Sequence, residues 1–105
     1  MNFTSIDVET ANADLSSICQ IGVVKFVDGT IADEWSTLVD PEDEFDLINV
    51  SIHGIDEKRV NGAPTLPHIE NNVRQILVDT IVACHTPFDR AAINQAYERY
   101  GLKPA

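Results

Sequence analysis

Positive charge is scarce in this sequence. Seven Lys and Arg residues stand against seventeen Asp and Glu, a formal net charge of −10 over 105 residues. A protein that holds nucleic acid by neutralising many phosphates should be basic on at least one face. No basic cluster here exceeds Lys58-Arg59, so the balance counts against broad, tight phosphate binding. Cysteine is scarce as well. Cys19 and Cys84 are too few for a disulfide framework and lack the CxxC spacing of a metal knuckle. Both sit in apolar, strand-like runs and are expected to be buried free thiols of a cytosolic protein. No apolar run is long enough for a membrane-spanning helix. No basic stretch followed by an apolar one stands at the start, so no signal peptide is expected; the expected location is the cytoplasm, with no membrane partner.

What is present suits one small globular domain, with 44% hydrophobic residues. Residues 2–8 alternate, Phe3, Ser5 and Asp7 on one face, Thr4, Ile6 and Val8 on the other, which is strand periodicity. A polar loop, Thr10 to Ser17, follows. Ile18 to Val27 is β-branched and apolar, a central strand; Asp28-Gly29 is a hairpin signal, and Thr30 to Val39 reads as the returning strand. The segment Asp40-Pro-Glu-Asp-Glu-Phe-Asp46 reads as a solvated acidic loop, leading into the turn Ile52-His-Gly-Ile55. Leu66, Ile69, Val73, Ile76 and Leu77 fall at helical spacing after Thr65, a candidate cap. Thr80 to Cys84 reads as a short buried strand. Thr86-Pro87 opens a second helix with Phe88, Ala92, Ala96 and Tyr100 as its buried face and Gly101 at its end. The expected order is βββαβα, an α/β fold with a mixed sheet: an antiparallel meander of three strands plus a fourth strand parallel to a neighbour, with flanking helices.

The first strand raises the chemical question. Asp7 and Glu9 are two apart and point the same way. Two ionised carboxylates that close repel one another, and a hard divalent cation with oxygen ligands removes that penalty. For an arbitrary Asp-x-Glu, a polar strand end at the surface is the commoner explanation. Asp89 adds a third acid, just past a strand and in the first turn of a helix. It also fits a capping-box variant with Thr86, where an acid suits the helix dipole. Together, a strand-end pair and a helix-start Asp make a metal-site constellation.

"SIDVETA", "ICQIGVV", "IHGI", "GAPTLPHI" and "HTPFDRAAI", in that order along nearly the whole chain, resemble the DnaQ-like 3′→5′ exonucleases with a DEDD set of acids. That family, with its DEDDh branch, includes the proofreading epsilon subunit of bacterial DNA polymerase III, ribonuclease T and oligoribonuclease. The resemblance implies a ribonuclease H-like fold. It implies Asp7, Glu9 and Asp89 as metal-binding, catalytic acids, with two Mg²⁺ or Mn²⁺ ions in a complete domain. One ion would prepare the attacking water, and both would stabilise charge on the scissile phosphate, releasing nucleoside 5′-monophosphates. Val8 and Thr10 match positions near the substrate's 3′ end, and His53 lies in a turn near the site. Phe88 and Ile55 are candidates for the apolar wall of the 3′-nucleotide pocket, and equally for plain core. His85 matches the position of an Asn in the commoner pattern and is expected to support the site without reacting. The implied substrate is the 3′ end of single-stranded DNA or RNA, with a DNA polymerase subunit or a second copy of the chain as the partners the family offers.

The family's third motif brings a fourth Asp and, in the DEDDh branch, a His acting as general base. Neither residue follows Asp89 here. Residues 1–105 are therefore expected to be the first part of a larger exonuclease domain, lacking the third motif, last strand and closing helices. The chain alone is expected to be inactive or weak, since a general base is worth about 10²–10⁴-fold in rate. The other reading is a non-catalytic exonuclease-like module that binds a partner or a nucleic-acid end.

Overall fold

The computed structural model describes residues 2–77, 82–84 and 87–102. Three strands open the chain: β1 (Phe3–Thr10), β2 (Ile18–Val27) and β3 (Thr30–Leu38). They form an antiparallel meander, as the alternation and the Asp28-Gly29 pair predict. The hairpin joins Val27 to Thr30 through two residues of positive φ, 50° at Asp28 and 80° at Gly29. A two-residue turn that follows the strand twist requires that sign at both positions. Val82–Cys84 (β4) pairs parallel to β1 through Thr4↔Val82, Ser5↔Ala83 and Ile6↔Cys84, giving the sheet order β3-β2-β1-β4. β3 is mostly exposed and carries Asp33 and Glu34, charges that discourage further strand pairing at a sheet edge.

One face of the sheet holds the core. Thr4, Ile6, Val8 and Thr10 of β1 are buried while Asp7 between them is exposed. Ile6, Val8, Ile18, Ile21 and Val23 pack against Leu66, Ile69 and Val73 of α2 (Leu66–Leu77), and against Ala92, Ala96 and Tyr97 of α3 (Pro87–Arg99). A smaller cluster of Ala11, Cys19, Ile55 and Val60 lies next to the end of β1.

Several expectations need correction. The order is βββααβα, because a seven-residue helix, α1 (Leu47–His53), follows the acidic segment. Asp46 caps it, accepting from the Ile48 amide at 3.2 Å, and Gly54 closes it at φ 73°. None of its residues is buried, so the sequence shows no core-facing stripe there. On α3, Phe88 is 38% exposed and Tyr97 is the aromatic residue buried beside Ala92 and Ala96. Tyr100 is partly buried against the same core. The Thr65 hydroxyl bonds the ring of His68 at 2.9 Å instead of a first-turn amide. Val82 is 40% exposed, so the fourth strand is not fully buried. Thr80 and Ile81 of that strand, the cap Thr86 and the supporting His85 lie outside the described residues.

Candidate active site

Asp7 and Glu9 share the face of β1 that points away from the helices; Asp7 is exposed and Glu9 half-buried. Opposite Asp7 stands Gly22. A Cβ there would meet only the Asp7 main-chain oxygen, at 3.9 Å, so packing does not demand glycine. Its effect is to leave bare the floor of an open groove lined by Ser5, Asp7, Gly22, Glu34 and Ser36.

Asp89 reaches the same strand from the other side of the sequence. It is 2% exposed, and its Oδ1 accepts from the Val8 amide at 3.1 Å across 81 residues. The described pairing of β1 with β4 ends at Ile6↔Cys84, and beyond it the Val8 N–H turns to this carboxylate. A carboxylate–amide bond is among the stronger backbone contacts. It fastens the start of α3 to the residue between Asp7 and Glu9. Asp89 thus has a tertiary role, while Thr86, its partner in the expected capping box, lies outside the described residues.

The end of β1 is held by α1. The Asn49 Nδ2 group donates to Thr10 O at 3.1 Å, to Thr10 Oγ1 at 3.3 Å and to Asn12 O at 3.2 Å. His53 Nε2 donates to Thr10 O at 2.8 Å while its Nδ1 accepts from the Ile55 amide at 3.0 Å. An acceptor at Nδ1 and a carbonyl at Nε2 fix the neutral tautomer with its proton on Nε2. Cys19 Sγ lies 4.0 Å from that nitrogen. Burial, with Glu9 adding a smaller effect, pushes the Cys19 thiol up to about 12, so it is a neutral core group.

The structure brings Asp7, Glu9, Val8, Thr10 and Asp89 to one end of β1. It places the Val8 and Ile55 side chains in the core, and Phe88 at the surface in the first turn of α3. His53 is occupied on both ring nitrogens by main chain. Among the described residues, no three His, Cys, Asp or Glu side chains are gathered as a metal-binding group. The donor set nevertheless fits a hard cation in kind: it consists of carboxylate oxygens, two on one strand face and one bound to the amide between them. Sequence reasoning missed Asn49. The one signal for its helix is a capping Asp46 and a closing Gly54 eight residues apart.

Comparison with known proteins bears on family and fold. The RNase_T family model, described as Exonuclease, matches residues 4–105. The chain is 30% identical over 102 residues to the DNA polymerase III PolC-type of Listeria innocua, covering 94% of this chain and 7% of that protein. It is 26% identical over 106 residues to the same polymerase type of Halalkalibacterium halodurans, covering 98% of this chain and again 7% of that protein. The chain thus spans a small fraction of these curated relatives. Among solved structures, cell-death related nuclease 4 superposes with a TM-score of 0.83 at 16% identity, over 98% of this chain and 41% of that one. Exonuclease X in complex with 5′ overhanging duplex DNA gives 0.58 at 21% identity, over 97% and 75%.

Proposed function

This chain belongs to the DEDD, DnaQ-like 3′→5′ exonuclease family, and from that premise we propose that Asp7, Glu9 and Asp89 hold divalent cations for hydrolysis at a nucleic-acid 3′ end. The observation that supports the reading is the bond from the Val8 amide to Asp89, which ties the third acid to the main chain between Asp7 and Glu9. Mg²⁺ or Mn²⁺ bound there would supply Lewis-acid stabilisation of the phosphate and an activated water. The protein's own part is to fix the acids. β1 aims Asp7 and Glu9 to one face, Asp89 joins α3 to that strand, and α1 secures the strand end. Thr10 and the main chain at Val8 are proposed to lie near the terminal nucleotide. His53 contributes by holding Thr10, and Ile55 by supporting the turn after it. Phe88, exposed beside Asp89, is the apolar side chain proposed to meet the nucleotide.

Residues 90–105 hold neither Asp nor His. The fourth acid and the general base are therefore proposed to come from outside these residues, and full activity to require them. A polymerase partner is proposed on the similarity to the PolC-type polymerases. A non-catalytic, end-binding module is the second reading.

The test is a nuclease assay with Mn²⁺ on 3′-tailed single-stranded DNA and RNA, using the chain and any longer product of its gene, each beside Asp7→Ala. Nucleoside 5′-monophosphate release from the longer product, lost in Asp7→Ala, is expected, with the chain alone weak or silent. End binding without release by either protein would support the module instead.

A further inference from the structure

Glu9 is the last residue of β1 in regular register with β2. Described pairing to β4 stops at Ile6↔Cys84, and the ladder to β2 slips between Glu9 and Thr10, where Glu9 opposes Gln20 but Thr10 opposes Ile18. A bulge of this kind re-aims the side chains beside it. At this fault the main-chain oxygens of Thr10 and Asn12 turn to a side chain, the amide of Asn49. A short, planar amide with two protons suits the task; an isosteric carboxylate would set acceptor against acceptor and add a negative charge near Glu9.

We infer that Asn49 is a positioning residue for the carboxylate pair: through Thr10 and Asn12 it sets the bulged end of β1, and so the direction in which Glu9 presents its carboxylate to a divalent cation. The inference rests on the cation site proposed above. It goes beyond that reading in assigning control of the site to α1, an element that contributes no ligand. Groups that orient metal ligands from behind typically change metal affinity by about 10–100-fold when removed.

The experiment measures Mn²⁺ affinity of the 105-residue chain from the free-ion electron paramagnetic resonance signal, at a temperature where every variant is folded by circular dichroism. Asp7→Ala serves as the reference for loss of the site. Asn49→Leu, close in size and without donors, is expected to weaken Asp7-dependent binding about tenfold. Asn49→Gln, which keeps both donors, is expected to recover part of that loss. Asn49→Ser, smaller and with one donor, stands in if Asn49→Leu does not fold, and is expected to fall between wild type and Asp7→Ala. A purely structural role would lower the unfolding midpoint while leaving the affinity of the folded protein unchanged, and that result overturns the inference. Absence of Asp7-dependent binding in the wild type overturns the cation-site reading itself, and the role of Asn49 with it.

Discussion

Replacing His53 by Phe should be costly for stability, and the structure gives the size. Phe keeps most of the ring volume and removes both hydrogen-bonding nitrogens. The Ile55 amide, on a residue 2% exposed, loses its acceptor at 3.0 Å. An orphaned buried donor costs about 1–3 kcal/mol. Thr10 O loses the 2.8 Å bond from Nε2 but keeps Asn49, so that loss is nearer the ordinary net value of about 1 kcal/mol. The sum is roughly 2–4 kcal/mol, a large share of the ~5–15 kcal/mol that stabilises a typical domain. Urea unfolding at neutral pH, with wild type and variant compared at equal m-value, reads it directly. The nitrogen chemical shifts of the wild-type ring add a second check, since Nε2 should carry the proton. A variant within 0.5 kcal/mol of wild type, by the ~0.5 kcal/mol scale of neutral surface changes, or a ring protonated on Nδ1, would refute the reasoning.

Tyr97 is 2% exposed and its hydroxyl has no hydrogen-bond partner among the described residues, so Tyr97→Phe should stabilise the protein by about 1 kcal/mol, raising the midpoint by ~4–8 °C; a lower midpoint would show that the hydroxyl is satisfied after all. Burial pushes the Cys19 thiol from 9.0 up to about 12, and burial with the Glu42 bond pushes Tyr100 from 10.0 up to about 12. Above their ordinary values the unfolded chain loses these protons before the folded one does. Their contribution is therefore full below pH 9.0 and is lost as pH rises toward about 12. Cys19→Ala should flatten the first part of that decline in urea midpoints, and an unaltered profile would contradict the assignment.

Much of the fold is legible in the sequence for identifiable reasons. Period-two alternation marks β1 and the face that Asp7 and Glu9 share, Asp28-Gly29 marks the hairpin, and the Leu66–Ile69–Val73 stripe marks α2. The helix α1 is not legible, because its aliphatic residues Leu47, Ile48 and Ile52 face outward and its cap, Asp46, is one acid in an acidic run. The buried face of α3 is blurred by small alanines beside two tyrosines, of which Tyr97 is fully buried and Tyr100 only partly. Asp89 is visible as a helix-start acid, but its partner is a main-chain amide 81 residues away, and local pattern carries no trace of such a contact. Asn49 is hidden for the same reason: its three acceptors lie 37 to 39 residues earlier.

The central claim is that the acids at the end of β1 form the cation site, even though most of the chain's excess charge lies elsewhere, notably in the acidic segment 40–46. Paramagnetic broadening of the amide spectrum by substoichiometric Mn²⁺ separates the two. Loss of the signals of Asp7 to Thr10 and of Phe88 to Arg90 first, abolished in Asp7→Ala, is the predicted result. Broadening centred on Asp40 to Asp46 and unaffected by Asp7→Ala would contradict it.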